Sequence, residues 1–160
     1  MNPFDWSEFL DDLARIGAAA LLGGALGLER ELMGHWAGLR THMMVAIGSA
    51  IFVIAGVIVA GDLGNENTRV IQGVAAGIGF LGAGTILKLG DEREIKGLTT
   101  ASSIWLSSAL GVVAGLGEYA LAAAAACISL FVLAVLGPLE RLFQRPKGSG
   151  SSDDDANASD

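Results

Sequence analysis

Hydrophobic residues run through this chain in long blocks that polar residues interrupt rather than alternate with. Met43 to Gly61, Val70 to Leu87, Gly97 to Gly117 and Tyr119 to Leu139 contain no Asp, Glu, Lys or Arg. A helix needs about 20 apolar residues to cross a bilayer core, and each block comes near that length. Ile16 to Leu28, taken with its flanks, makes a fifth block. The pattern predicts an all-α membrane protein, a compact five-helix transmembrane bundle over residues 1–140, with spans at about 9–28, 42–61, 70–89, 97–117 and 119–139. Residues 141–160, dominated by Ser, Gly, Asp and Asn past 147, are expected to form a disordered cytoplasmic tail. No short-period repeat and no symmetric halves of the transporter kind are visible.

Asp5 or Ser7 is placed to cap the first helix. Asp11 and Arg15 stand i, i+4 and can neutralise one another, with Trp6 and Phe9 at the interface where aromatic rings are favoured. Asp5, Glu8, Asp11 and Asp12 occupy the region where a cleavable signal peptide carries positive charge, so the first span is expected to stay. Eight of the ten Lys and Arg fall in segments 29–42, 88–96 and 141–147, leaving Arg15 and Arg69 for the other side. The positive-inside rule then puts the N-terminus outside and the C-terminus in the cytoplasm, in agreement with an odd number of spans.

Composition sharpens the expected packing. Glycine contributes 23 of 160 residues beside only 3 Pro, while 52% of residues are hydrophobic and 17% charged. That excludes collagen and argues against a soluble domain. Among lipid-embedded helices, small residues permit close backbone approach. In the third span Gly73, Gly77 and Gly84 share one face and Ala75, Gly79 and Gly82 the opposite one, which predicts a central helix flanked on two sides. The competing reading breaks this helix and turns its carbonyls toward a polar cavity. Gly77-Ile-Gly-Phe-Leu-Gly82 fits a dinucleotide loop only formally, because it lacks a strand–turn–helix context. The net charge of −7 includes Asp153, Asp154, Asp155 and Asp160 of the tail, and no nucleic-acid partner is expected.

Candidate chemistry gathers at the cytoplasmic end. Glu31 shares a helix face with Gly24 and Gly27, whereas Glu29 points the opposite way, so the two cannot clasp one ion from a rigid helix. A carboxylate there needs a partner, and Arg40 is the first candidate. Glu29, Arg30, Glu31, Arg40 and Thr41 form a polar cluster to which Thr99, Thr100 and Ser103 add hydroxyls. Thr100, Ser103, Ser107 and Ala114 make one stripe on the fourth span. Its hydroxyls either bond to helix carbonyls and neighbours or line a polar pathway. Arg69 and Gln72 open the third span on the outer side, where Arg69 can snorkel or reach inward.

The remaining polar residues read more simply. His35 and His42 read as loop residues, not metal ligands. Cys127 reads as a small buried apolar residue. Asp91, Glu92 and Glu94 among Lys88, Arg93 and Lys96 suggest a solvated hairpin. No nucleophile has a base beside it, so neither enzymatic activity nor a cofactor is expected.

Several ordered motifs resemble the MgtC/SapB family of bacterial inner-membrane proteins. They are Leu22-Gly-Gly-Ala-Leu-Gly-Leu-Glu-Arg-Glu31, Ala37-Gly-Leu-Arg-Thr41, Arg69 with Gln72, Gly77-Ile-Gly-Phe-Leu-Gly-Ala-Gly84, and Ile95-Lys-Gly-Leu-Thr-Thr-Ala101 with Trp105. The resemblance implies a multi-pass plasma-membrane domain linked to magnesium homeostasis and low-magnesium adaptation. In pathogens it implies a link to growth inside macrophages. It further implies a membrane-protein partner such as the F-type ATP synthase. Longer members carry an ACT-like domain after the helices, whereas about 20 residues follow Leu139 here.

Two functions follow as expectations. The first is a regulatory or interaction protein that docks on another membrane complex or on itself as a homo-oligomer. The alternative is a transporter or channel for Mg²⁺ or another cation, with a path lined by hydroxyls, backbone carbonyls and Glu31. Magnesium prefers oxygen ligands and keeps several waters. No acid lies in the cores of spans two to five, which leaves Glu29, Glu31, hydroxyls and backbone carbonyls to serve, with Glu31 the candidate metal ligand.

Overall fold

The computed structural model describes residues 5–60, 65–88 and 95–143. Asp5 caps the first helix: its Oδ1 accepts the Ser7 N–H at 2.9 Å and the Ser7 hydroxyl at 2.7 Å. These donations hold the Asp5 carboxyl below its ordinary pKa. Helix α1 then runs Trp6–Leu32, followed by α2 Leu39–Ala60, α3 Asn65–Ala83, α4 Leu98–Gly115 and α5 Tyr119–Phe143. Two-residue strands β1 (Leu87–Lys88) and β2 (Ile95–Lys96) pair antiparallel between α3 and α4. The acids expected on that hairpin, and the tail beyond residue 143, lie outside the described residues.

Among the described residues, α2, α4 and α5 are long and apolar enough to cross a membrane. Helix α1 contains the whole of the expected first span, 9–28, whereas α3 ends at Ala83, short of the expected 89. The uncharged stretch of α1, Ile16–Leu28, has 13 residues, and α3 ends at Ala83, which leaves 14 after Arg69. At 1.5 Å per residue each covers only about 20 Å of a hydrocarbon core roughly 30 Å thick.

Packing centres on α2, not on α3. Gly23 and Gly27 on α1 face α2 so closely that an added Cβ would lie 2.6 Å from Ala46 Cβ and 2.8 Å from Leu39 Cα, respectively. Gly111 and Gly115 on α4 repeat the same four-residue spacing where α4 meets α2. A Cβ at Gly111 would strike the Ala46 carbonyl, and one at Gly115 would lie 3.0 Å from Ala50 Cα. Helix α2 answers with Ala46 and Ala50, both fully buried, beside Ala19 of α1 and Ala114 of α4. A second cluster joins Leu26, Leu110 and Ala126, through which α5 leans on α1 and α4. Such small-residue seams bind helices where lipid removes the hydrophobic drive.

Helix α3 therefore departs from its expected role. Gly73, Gly77 and Gly79 have nothing within 4 Å of an added Cβ. Gly82 meets Ala101 of α4 at 3.6 Å, and Gly84 meets only its own segment. The helix is continuous through this glycine-rich stretch and lies at the margin, against α2 and α4. Cys127, expected inside, is exposed on α5.

At the opposite end from the polar cluster, Arg15 pairs with Asp11 as the i, i+4 spacing predicts. It also donates to the Gly115 carbonyl at 3.4 Å, which places a cation at the C-terminus of α4 where the helix dipole favours it.

Substitution at these glycines separates the two kinds of site. Gly111→Ala forces Cβ into the backbone of α2 and is expected to destabilise by about 1–3 kcal/mol. Gly77→Ala meets open space and gains helix propensity, so it should be neutral or stabilising by up to about 1 kcal/mol. Thermal unfolding of the detergent-solubilised variants measures both.

Candidate functional site

Four helix ends meet at one end of the bundle, each for a local reason. Helix α1 stops in a left-handed turn at Gly34, φ +75°, where Gly34 N–H donates to the Glu31 carbonyl and His35 N–H to the Arg30 carbonyl. This closure suits glycine because a Cβ disfavours that conformation. Glu31 then reaches across the turn, and its Oε2 accepts the Leu39 N–H at 2.8 Å. The carboxylate thereby caps α2 in place of a short-range cap residue. Helix α3 ends nearby at Gly84 and Thr85, and the β1–β2 ladder returns the chain to Gly97. Gly97, φ +97°, starts α4 against the Thr85 carbonyl, where a Cβ would collide.

A polar seam runs inward from this end. Arg30 is only 3% exposed, and its Nη2 donates to Thr100 Oγ1 at 3.2 Å. His42, fully buried, bridges α2 to α4. Its Nδ1 lies 2.9 Å from the Gly38 carbonyl and its Nε2 lies 3.1 Å from Ser103 Oγ. Ser103 also lies 2.9 Å from the Thr100 carbonyl. Deeper in, the Ser49 and Ser108 hydroxyls meet at 2.8 Å between the same two helices. Among the described residues of this region, the buried side-chain atoms Arg30 Nε, Glu29 Oε2 and Ser107 Oγ have no hydrogen-bond partner.

Above the seam lies a cavity of about 690 Å³ whose lining includes Arg30, His35, Thr41, Thr85, Lys96, Thr99 and Thr100. The structure thus brings together five of the residues that sequence places in the polar cluster: Arg30, Thr41, Thr99 and Thr100 on the cavity, with Ser103 below. It separates others. Arg69 and Gln72 are exposed at the start of α3, about 20 Å along that helix from Gly82 and the cavity. Glu31 and Arg40 do not pair; Glu31 is engaged at Leu39 N–H and Arg40 is exposed. His42 is not a loop residue, because α2 begins three residues before it. Ser49 and Ser108 were not singled out in the sequence, and their only signal is a small polar residue inside an apolar block. Among the described residues no group of three or more His, Cys, Asp or Glu is assembled that could hold a metal ion.

The assignment of Glu31 as a cap has a direct consequence. Glu31→Ala should cost about 0.5–2 kcal/mol, as loss of a helix cap does, while Arg40→Ala stays within about 0.5 kcal/mol. In a double-mutant cycle read by thermal unfolding the coupling between them is expected to vanish. A coupling of 1 kcal/mol or more, on the scale of roughly 0.5–3 kcal/mol seen for residues in contact, would restore the ion pair.

The MgtC family model matches residues 16–142. Protein MgtC of Brucella abortus (strain 2308) is 41% identical over 139 residues, covering 87% of this chain and 57% of that protein. SrpB of Synechococcus elongatus is 41% identical over 138 residues, covering 80% of this chain and 76% of its own length. YhiD of Escherichia coli (strain K12), named as a candidate magnesium transporter, is 40% identical over 133 residues, covering 79% and 61%. The chain therefore spans little more than half the length of the Brucella relative. No solved structure matches it. With a family match that runs from within α1 to the end of α5, this membrane protein belongs to the MgtC family.

Proposed function

We propose that the chain is a multi-pass protein of the bacterial inner membrane, N-terminus outside and C-terminus in the cytoplasm. Its proposed role in magnesium homeostasis is regulatory, by interaction with other membrane proteins. The observation that carries this reading is the state of the α4 hydroxyl stripe. Ser103 is bonded to His42 and Ser108 to Ser49 at 2.8–3.1 Å, side chain to side chain, between helices in backbone contact. A hydrated divalent cation needs oxygen ligands and room for its retained waters. The seam is built as a clasp between α2 and α4, and a buried arginine stands at its mouth. Glu31, the carboxylate a cation path would call on, is used to cap α2.

The distribution of cations supports the orientation. The structure draws Arg30, Arg40, Lys88 and Lys96 to one end of the bundle and leaves Arg15 and Arg69 toward the other. The positive-inside rule assigns the richer end to the cytoplasm. Exposed apolar side chains such as Phe80 on α3 and Ile128 and Phe131 on α5 supply surface for lipid, for a second copy, or for a membrane complex of the F-type ATP synthase class.

Mg²⁺ flux into proteoliposomes of the purified protein decides between regulation and transport. Under an imposed gradient the expected uptake equals that of empty vesicles. Uptake above that level, abolished by Glu31→Ala in a protein that still folds, would establish the transporter reading. For orientation, Trp36→Cys, at an exposed position of the α1–α2 connection, in a Cys127→Ala background should react with an impermeant thiol reagent only from the cytoplasmic side.

A further inference from the structure

We propose that the cavity at the Arg30 end of the bundle binds a phosphate-class oxyanion, with Arg30 as the recognising residue. The guanidinium carries five N–H donors, yet it is almost wholly buried. Its Nη2 donates to a neutral hydroxyl, Thr100 Oγ1, and its Nε has no hydrogen-bond partner. Burying a cation costs several kcal/mol unless an anion or a full set of acceptors offsets it. A planar donor fork at a cavity wall, with Nε unpartnered and Nη2 on a neutral hydroxyl only, suits an oxyanion.

Three further features of the same cavity have the same sign. Lys96 lines it, and among the described residues no Asp or Glu does; Glu29, the acid next to Arg30, is not part of the lining. Helix α4, 18 residues long, opens onto it from Gly97, which provides no side-chain cap, so the first N–H groups at Leu98, Thr99 and Thr100 have no side-chain acceptor. The positive end of the helix dipole therefore faces the cavity, as at other helix N-termini that hold phosphate. Third, Gly97 sits where any Cβ would strike the Thr85 carbonyl, so the close approach of the α3 end to the α4 start is built in. At about 690 Å³ the space lies within the roughly 300–1,000 Å³ of ligand sites and holds a phosphate group with part of the molecule that carries it.

The same wall disfavours Mg²⁺, which Arg30 and Lys96 repel. The oxyanion could belong to a phospholipid headgroup, since the cavity lies at the charged end of the bundle, or to a free phosphate compound. Neither depends on whether the protein transports, so this site and the regulatory reading stand or fall separately.

The test uses the full chain, purified in nonionic detergent without phosphate. Calorimetric titration with inorganic phosphate probes the free anion. Nanodiscs of phosphatidylcholine with or without phosphatidic acid, followed by native mass spectrometry, probe the headgroup. Saturable phosphate binding, or selective retention of phosphatidic acid, is expected for the wild-type chain. Lys96→Gln and Arg30→Lys should each weaken that binding at least tenfold. Arg30→Lys keeps the charge but loses the fork, and Lys96→Gln changes an exposed residue that leaves the core intact. Arg40→Gln, at the same end but outside the cavity, should bind as the wild type does. The proposal is overturned if the wild type binds neither probe, or if Lys96→Gln and Arg30→Lys bind as tightly as the wild type. It is equally overturned if Arg40→Gln weakens binding as much as they do, which would indicate diffuse surface charge.

Discussion

Backbone contact between α2 and its two neighbours is the constraint on which the rest of the molecule depends. Gly23 and Gly27 on α1, and Gly111 and Gly115 on α4, remove the side chains that would otherwise hold these helices apart. In lipid no hydrophobic drive pulls helices together, so association rests on van der Waals contact and on whatever polar groups meet across the seam. Small residues serve both ends. They enlarge the area of close contact, and they shorten the distance between the polar side chains that flank them. A glycine pair spaced by four lies on one helix face, so each pair forms a groove rather than a notch, and α2 packs against two such grooves.

The polar seam is a consequence of that proximity. His42 reaches Ser103, and Ser49 reaches Ser108, because α2 and α4 are in backbone contact at Ala46 and Gly111. Water has no place at this distance, and each hydroxyl or ring nitrogen left without its partner would carry a desolvation cost of about 1–3 kcal/mol. The bonds therefore add register more than net stability: a slide of one turn along either helix would break both pairs at once. Apolar small-residue packing alone tolerates such a slide, since glycine and alanine recur along all of these helices.

How much of this was legible beforehand can be followed residue by residue. The five helices, the Asp5 cap and the Asp11–Arg15 pair are local, set by hydrophobic block length and by spacing within one turn, and they were readable. The place of α3 was not. Glycine periodicity shows that a face could accept a neighbour, and it is as strong on α3 as on α1 or α4. Which face receives one depends on how the other helices fill the space, a tertiary question. His42 escaped because α2 starts at Leu39, ahead of the apolar block, and it does so because Glu31 caps it from eight residues away. Charge alone pointed Glu31 toward Arg40. A backbone N–H held in place at a helix start outcompeted a flexible, solvated guanidinium whose surface pairing is worth about 0–1 kcal/mol.

Arg30 is the one residue that the packing logic leaves unexplained. The seam satisfies most of its buried groups from within, and the glycine grooves would hold as well around a leucine at this position. Yet the chain keeps a cation with fewer acceptors than donors, between the end of α1 and the uncapped start of α4. Glu29, beside it in sequence, also has a buried oxygen without a partner. A purely structural ion pair would bring these two charges together and saturate them. Instead the arginine meets a hydroxyl and a cavity wall, with a lysine on the same wall. Such an arrangement is stable as a scaffold only at a cost. That cost is recovered when a negative charge enters from outside the chain, and this places the chemistry of the domain at the end where its helices begin and end rather than along a path between them.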